Sequence, residues 1–182
     1  MEQKGKHAHG HVEYRFCPQC GGDLEPRRVK ATEPERLVCK GCAYIFYLDP
    51  KIVAGALFTI DNRIVLLRRG VEPALGKWVF PGGYVDRGES VAEAAARETK
   101  EESDLDVAVG PLLGVYSYRD SPVVIVVYAA EVVGGELAPR DESLDARTFT
   151  AGEIPWEELA FQSTKDALKD YVRLYLGVKI GQ

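Results

Sequence analysis

The chain has 182 residues, 46% of them apolar, with a formal net charge of −5 and four cysteines. That content supports one good core plus a small appendage, and the acidic balance gives no electrostatic footprint for nucleic acid. The longest apolar run, VVIVVYAA from Val123 to Ala130, is far below the ~20 residues a membrane-spanning helix requires, so no membrane partner is expected.

The N-terminal stretch MEQKGKHAHGHVEY lacks the apolar segment of a signal peptide, and a cytoplasmic address is expected. It holds all three histidines, His7, His9 and His11, at alternating positions. A metal-gripping tract and a flexible polar arm over residues 1–11 are both compatible with this, the arm favoured because no other ligand type is nearby. With no histidine after position 11, the catalytic base of the main body is expected to be a carboxylate.

Cys17-Pro-Gln-Cys20 and Cys39-Lys-Gly-Cys42 form two C-x2-C pairs eighteen residues apart. Two turns that each present two thiolates suit structural, tetrahedral Zn²⁺. Disulfides are the competing reading, disfavoured without a secretory signal. A zinc ribbon is therefore expected over residues 12–50. Its six acids balance its six bases, which points to a structural or docking module more than to a nucleic-acid reader.

Asp49-Pro50 marks the expected boundary to a second domain, residues 51–182. Ile52–Ile60 and Arg63–Arg69 predict two strands of a β-hairpin turning at Asp61-Asn62. The prolines and glycines of GVEPALGKWVFPGG predict a loop without regular structure, in which carbonyls near Gly82 and Gly83 can face a cation. Trp78 and Phe80 in this loop have two readings, stacking on a base or plugging the core beneath.

Ser90 followed by Glu93 predicts a capping box and hence a helix start. At 100° per residue Val91, Ala94, Ala95, Glu98, Glu102 and Leu105 share a face, so two carboxylates continue the stripe that periodicity would bury. The run ETKEES reads blandly as a solvated helix end. Against that, Glu98 and Glu102 are a like-charged i,i+4 pair beside Glu101, costing about 0.2–0.5 kcal/mol per pair, and acids near a helix C-terminus meet the negative end of its dipole. A cation among them answers both objections; oxygen ligands with no His or Cys nearby favour Mg²⁺ or Mn²⁺.

At these residues the chain resembles the Nudix hydrolase family, whose signature reads G, five residues, E, seven residues, R-E-U-x-E-E-x-G-U, with U a bulky aliphatic. Gly83, Glu89, Arg97, Glu98, Glu101, Glu102 and Leu105 occupy matching positions. Thr99 and Asp104 depart from it, standing where the family has an aliphatic residue and a glycine. Thr99 is expected to loosen packing slightly, and Asp104 to sit in a left-handed turn. The cysteine ribbon, YLDPKIVAG, RRGVEPALGKWVFPGGYVDRGES and LAFQST look like the zinc-ribbon branch of the family, known as ADP-ribose, FAD or NADH pyrophosphatases. The resemblance implies an α/β fold, a Nudix-type α/β/α sandwich with a mixed sheet, preceded by the small zinc ribbon. It also implies Glu98, Glu101 and Glu102 as core metal ligands, with Glu98 a candidate base. Glu89 falls at the metal edge and pairs with Arg97, and a carbonyl of the Gly82-Gly83 turn is a further ligand.

Beyond this helix, Val107–Val109, Leu112–Arg119 and Val123–Val133 predict strands, with Gly134-Gly135 opening a turn. Asp141-Glu142-Ser143 lies in the loop before a further strand near Arg147–Thr150. Nudix enzymes often draw a ligand or base from such a loop, so Glu142 joins Glu98, Glu102 and Arg97 as a catalytic candidate, a solvated acidic loop being the alternative. Tyr116 and Tyr118, alternate residues of one strand, share a sheet face and offer a platform for adenine, with core packing the other reading. Arg69 is the third substrate-binding candidate. Ile154–Phe161 and Thr164–Leu176 predict closing helices. The NADH-cleaving branch has an SQPWPFP-type signature after its box and this chain has none, so the expected reaction is cleavage of ADP-ribose or FAD between the phosphates, releasing AMP. A MutT-like triphosphate pyrophosphatase and a non-catalytic nucleotide-binding regulator are the alternatives. The expected partner is a nucleotide-type small molecule, not nucleic acid, and a homodimer is compatible with the sequence.

Overall fold

A computed structural model of the protein describes residues 14–177; the arm with His7, His9 and His11 lies outside them. The chain divides into two compact units between residues 49 and 50. The first is a three-stranded antiparallel sheet of β1 (Leu24–Arg27), β2 (Arg36–Cys39) and β3 (Ile45–Phe46). Among its described residues the buried apolar side chains are Cys17, Val38 and Cys39, far too few to hold so short a sheet by hydrophobic burial alone.

The second unit begins with β4 (Lys51–Leu57), β5 (Thr59–Ile60) and β6 (Arg63–Arg69). The single strand expected over Ile52–Ile60 is broken at Phe58. Leu57 and Phe58 are both fully buried but enter different core clusters, so the chain changes sheets there. The hairpin turn falls at Asp61-Asn62 as expected, both residues having positive φ (50° and 59°), the conformation a two-residue turn demands. The stretch expected to be irregular contributes two short strands, β7 (Trp78–Val79) on β6 and β8 (Gly82–Tyr84) on β4. Trp78 and Phe80 are buried in the main core.

Helix α1 (Val91–Ser103) starts at the expected capping box: Ser90 Oγ accepts the Glu93 N–H and the Glu93 carboxylate accepts the Ser90 N–H. It ends at Asp104 in the left-handed conformation (φ 60°). Thr99 is fully buried, and its hydroxyl is satisfied by the Ala95 carbonyl at 2.7 Å, which is how a polar residue stands at an aliphatic position.

Strand β9 (Leu105–Ser117) runs unbroken where two strands were expected, because Gly110-Pro111 is absorbed as a bulge: Tyr128 pairs Leu112 and Ala130 pairs Val109. Strand β10 (Val123–Gly135) includes the glycines read as a turn, and β11 (Ser143–Phe149) pairs β6. Of the two closing helices, Ile154–Phe161 forms only a short 3-10 turn at Trp156–Glu158; α2 spans Gln162–Tyr171 and runs on as a π turn over Val172–Leu176.

One sheet has the order β8-β4-β10-β9, parallel between β4 and β10 and antiparallel elsewhere; the other is β11-β6-β5 with β7 attached. Along β10, Val127 and Ala129 pack in the cluster containing Ala167 and Leu168 of α2, whereas Tyr128 packs with Ala94 and Ala95 of α1. The strand period of two thus assigns the two helices to opposite faces of a mixed sheet. Among the described residues, no helix is long and apolar enough to cross a membrane.

Candidate active site

The cysteine centre is the simpler of two constellations. The Sγ atoms of Cys17, Cys20, Cys39 and Cys42 lie within 4.8 Å of one another, with Cys20–Cys39 at 3.5 Å, Cys20–Cys42 at 3.4 Å and Cys17–Cys42 at 3.8 Å. Sulfurs about 2.3 Å from a tetrahedral centre stand about 3.8 Å apart, so the quartet fits Zn²⁺. The N–H groups of Cys42 (3.5 Å) and Gly41 (3.3 Å) point at Cys39 Sγ and, led by the Cys42 amide, lower its pKa to about 7. A thiolate is thereby favoured at Cys39, whereas Cys42, against the pull of the Tyr44 backbone, is pushed up to about 12 by the Cys20 sulfur, burial and the other two thiols.

The second constellation gathers on α1 and the strand it faces. Gly82 and Gly83 open β8 against β4. A Cβ on Gly83 would collide with the Glu98 carboxyl group, so that glycine is required for the helix carboxylate to lie on the strand. Glu102, one turn later, accepts the Gly82 N–H at 2.9 Å. Burial raises its pKa to about 7 against the pull of that amide, and the nearby charges of Glu98 and Glu142 add to the rise while Arg69 opposes it. Burial likewise raises Glu98, with Arg97 opposing.

Arg97 is the strut of the site. Its Nε and Nη2 grip both oxygens of Glu89 at 3.0 and 2.8 Å, its Nη1 reaches Glu98 (2.8 Å) and Glu101 (2.9 Å), and its Nη2 also donates to the Tyr84 carbonyl. Glu89 additionally accepts the Asp86 N–H, and the Arg97 bond, with that amide, lowers its pKa to about 2. Glu89, expected at the metal edge and paired with Arg97, makes that pair here, and Glu98 and Glu101, expected at the metal, share the same guanidinium. Among the described residues the cysteine quartet alone gathers three or more metal-ligating side chains at one point, and the acids do not. What fits a divalent cation is the donor chemistry: half-buried Glu98 and Glu102 repel each other, and burial raises both against the Gly82 amide, Arg97 at Glu98 and Arg69 at Glu102.

Two more expected residues are brought to this corner. Ser143 pairs Arg69 across β11 and β6, and the Gly70 N–H donates to the Glu142 carbonyl at 2.6 Å, which seats the exposed Glu142 beside the end of β6. Tyr116 and Tyr118 are not brought there. Tyr116 packs against the α2-side core, and the two hydroxyls donate to Asp170 (3.0 Å) and Asp166 (2.8 Å) of α2. Their strand fastens a helix on the sheet face opposite α1, which is the core-packing role at Tyr116. The partners Asp166 and Asp170, four residues apart on one helix, were not singled out in the sequence, although their i,i+4 spacing was a readable signal. Phe161 was also passed over, and its ring lies 5.2 Å from the guanidinium carbon of Arg69.

Comparison with known proteins agrees with this layout. The model of the NUDIX domain matches residues 49–171, and that of the Nudix N-terminal zinc ribbon matches residues 15–48. The ADP-ribose pyrophosphatase of Methanocaldococcus jannaschii is 40% identical over 134 residues, which cover 71% of this chain and 78% of that one. The NAD-capped RNA hydrolase NudC of Stutzerimonas stutzeri is 29% identical over 173 residues; the match takes in 93% of this chain but 59% of NudC, so the chain spans little more than half of that relative. A crystal structure of a Nudix hydrolase from Nitrosomonas europaea superposes with a TM-score of 0.85 at 33% identity, covering 91% of this chain and 94% of the other.

Proposed function

The chain belongs to the Nudix hydrolase family of pyrophosphatases, and from that premise we propose that it cleaves ADP-ribose, or a close relative such as FAD, between its two phosphates. The observation that carries the substrate is the 40% identity to a protein named ADP-ribose pyrophosphatase; the gathering of Glu98 and Glu101 on Arg97, with Glu102 on the Gly82 amide, supports the machinery proposed. Glu98 and Glu102, with Glu101 and a carbonyl of the Gly82-Gly83 turn, would hold Mg²⁺ or Mn²⁺, which when bound neutralises diphosphate charge and makes water a better nucleophile.

In this reading Arg97 fixes the carboxylates it grips, and Arg69 takes a substrate phosphate. Water adds its oxygen to one phosphorus, the bridging P–O bond breaks, and a carboxylate of Glu98 or Glu142 accepts the proton. AMP and ribose 5-phosphate leave from ADP-ribose. The same proposal makes the substrate a free small molecule, keeps the enzyme in the cytoplasm, and gives the ribbon a structural Zn²⁺.

Chromatography of products from ADP-ribose, FAD, NADH, dinucleoside polyphosphates and nucleoside triphosphates tests it. AMP from ADP-ribose or FAD is the expected result. Preferred turnover of a triphosphate to a monophosphate and pyrophosphate would replace it with the MutT-like reading. NADH and NAD-capped RNA belong in the panel because the NudC match runs through the ribbon as well.

A further inference from the structure

Arg69 closes β6 with its backbone held on both sides: its N–H donates to the Lys77 carbonyl at 2.9 Å and its carbonyl accepts the Gly76 N–H at 2.8 Å. Its Nε donates to the Pro73 carbonyl at 2.8 Å, and its guanidinium carbon lies 5.2 Å from the centre of the Phe161 ring. Among the described residues, its two terminal amino groups have neither a hydrogen-bond nor an ion-pair partner. Arg97 is the opposite case, its guanidinium bonded to Glu89, Glu98, Glu101 and the Tyr84 carbonyl.

Phe161 is itself a rigid support. It is the extended residue that precedes α2 (φ −136°, ψ 157°). The Ala160 N–H donates to the Trp78 carbonyl at 2.8 Å, Leu159 bridges Trp78, and the Phe161 carbonyl accepts the Lys165 N–H. An arginine bonded through Nε and laid on an aromatic ring has lost most of its rotational freedom before any ligand arrives. What remains is a planar fork of terminal N–H groups, the geometry that takes two oxygens of a phosphate. This fork stands at the corner where β6 meets the Glu142 loop.

We propose that Phe161 is a positioning residue, whose ring holds the Arg69 guanidinium as a preorganised clamp for a phosphate of the nucleoside diphosphate substrate. This rests on the reading of the site as a diphosphate hydrolase. Phe161 touches no reacting atom; it acts through Arg69 on binding.

Steady-state kinetics on the full chain with ADP-ribose and saturating Mg²⁺ test it. Phe161→Leu is expected to raise KM roughly five- to tenfold while kcat stays within about twofold, the mark of lost uniform binding. Phe161→Tyr, which keeps the ring, is expected to restore KM. Arg69→Gln should raise KM at least as much, and adding Phe161→Leu to it should change KM no further, because both changes remove one device. If Phe161→Leu fails to fold, Arg69→Lys carries the test: a lysine keeps the charge but not the fork, and should recover little of the lost KM. Additive effects of the two changes, full recovery by lysine, or a fall in melting temperature with unchanged KM would each overturn the inference while leaving the hydrolase reading intact. A wild-type protein that cleaves no diphosphate overturns both.

Discussion

The cysteine cluster of the first unit and the carboxylate cluster of the second are both assembled from groups that would repel one another as anions, yet the fold treats them differently. The four sulfurs converge within 4.8 Å, braced by their own neighbours' amides at Cys39. The carboxylates are parted: Arg97 takes Glu89, Glu98 and Glu101, while Glu102 turns to the Gly82 amide. A structural metal site can close every coordination position, whereas a catalytic one must leave room for substrate. On the proposed reading of the carboxylates as a catalytic metal site, the difference teaches that a closed site is written in local spacing, and an open one is held by a strut from outside the ligand set.

The sharpest way to break the comparison is at the closed site. Cys39→Ser is expected to lose the single zinc that elemental analysis should find in wild-type protein, and with it the fold of the ribbon, since structural zinc contributes on the order of 10 kcal/mol to such small domains. Metal-dependent turnover by residues 50–182 should persist at least in part. Four alkylatable thiols and no zinc in wild-type protein would remove one half of the comparison.

At the open site, Glu102→Gln keeps the shape and removes the charge. Turnover at saturating Mg²⁺ is expected to fall about a hundredfold or more, with the fold, read by circular dichroism, unchanged. Near-normal turnover at limiting metal would mean that the metal site is elsewhere. Arg97→Ala should be milder, lowering activity about ten- to a hundredfold and raising the Mg²⁺ concentration for half-maximal rate, because it misplaces carboxylates without touching phosphate. An unchanged metal requirement would show that Arg97 is not the strut described.

The smallest effect sharpens the contrast between the two sheet faces. Tyr116→Phe is expected to cost about 1 kcal/mol of stability and to leave KM for ADP-ribose unchanged; a raised KM would return Tyr116 to the substrate. Burial and the Asp170 carboxylate raise the Tyr116 pKa above its ordinary 10.0, and burial and Asp166 do the same for Tyr118. Folding therefore favours the protonated hydroxyls. Their contribution is complete below about pH 10 and is lost as pH climbs through the higher folded values. Alkaline unfolding followed by phenolate absorbance should begin in that window and be shallower when Tyr116→Phe is combined with Tyr118→Phe.

Much of this was legible because it is local. Ser90 and Glu93 cap a helix through their own backbone amides, Asp104 tolerates the left-handed turn, and Asp61-Asn62 makes the hairpin. The errors fall where a distant partner decides. Phe58 breaks a strand because two clusters compete for adjacent side chains, and Gly110-Pro111 stays within a strand because β10 absorbs it as a bulge. Nothing local chose between the two readings of Tyr116 and Tyr118, whose hydroxyl partners lie about fifty residues away on α2.

By itself the sequence determined the family, the fold class, the capped helix and the paired C-x2-C spacing, all of which rest on contacts within a few residues or on a motif of fixed spacing. Only the tertiary structure decided that Arg97 grips Glu98 and Glu101 as well as Glu89, that Gly83 lies bare beneath Glu98, that Glu102 is buried enough for its pKa to reach about 7, and that Phe161 backs Arg69. The physical reason is that burial, charge proximity and stacking are properties of surroundings: a carboxylate, an arginine or a ring carries the same chemistry anywhere in the chain, and its task is set by what folding brings against it.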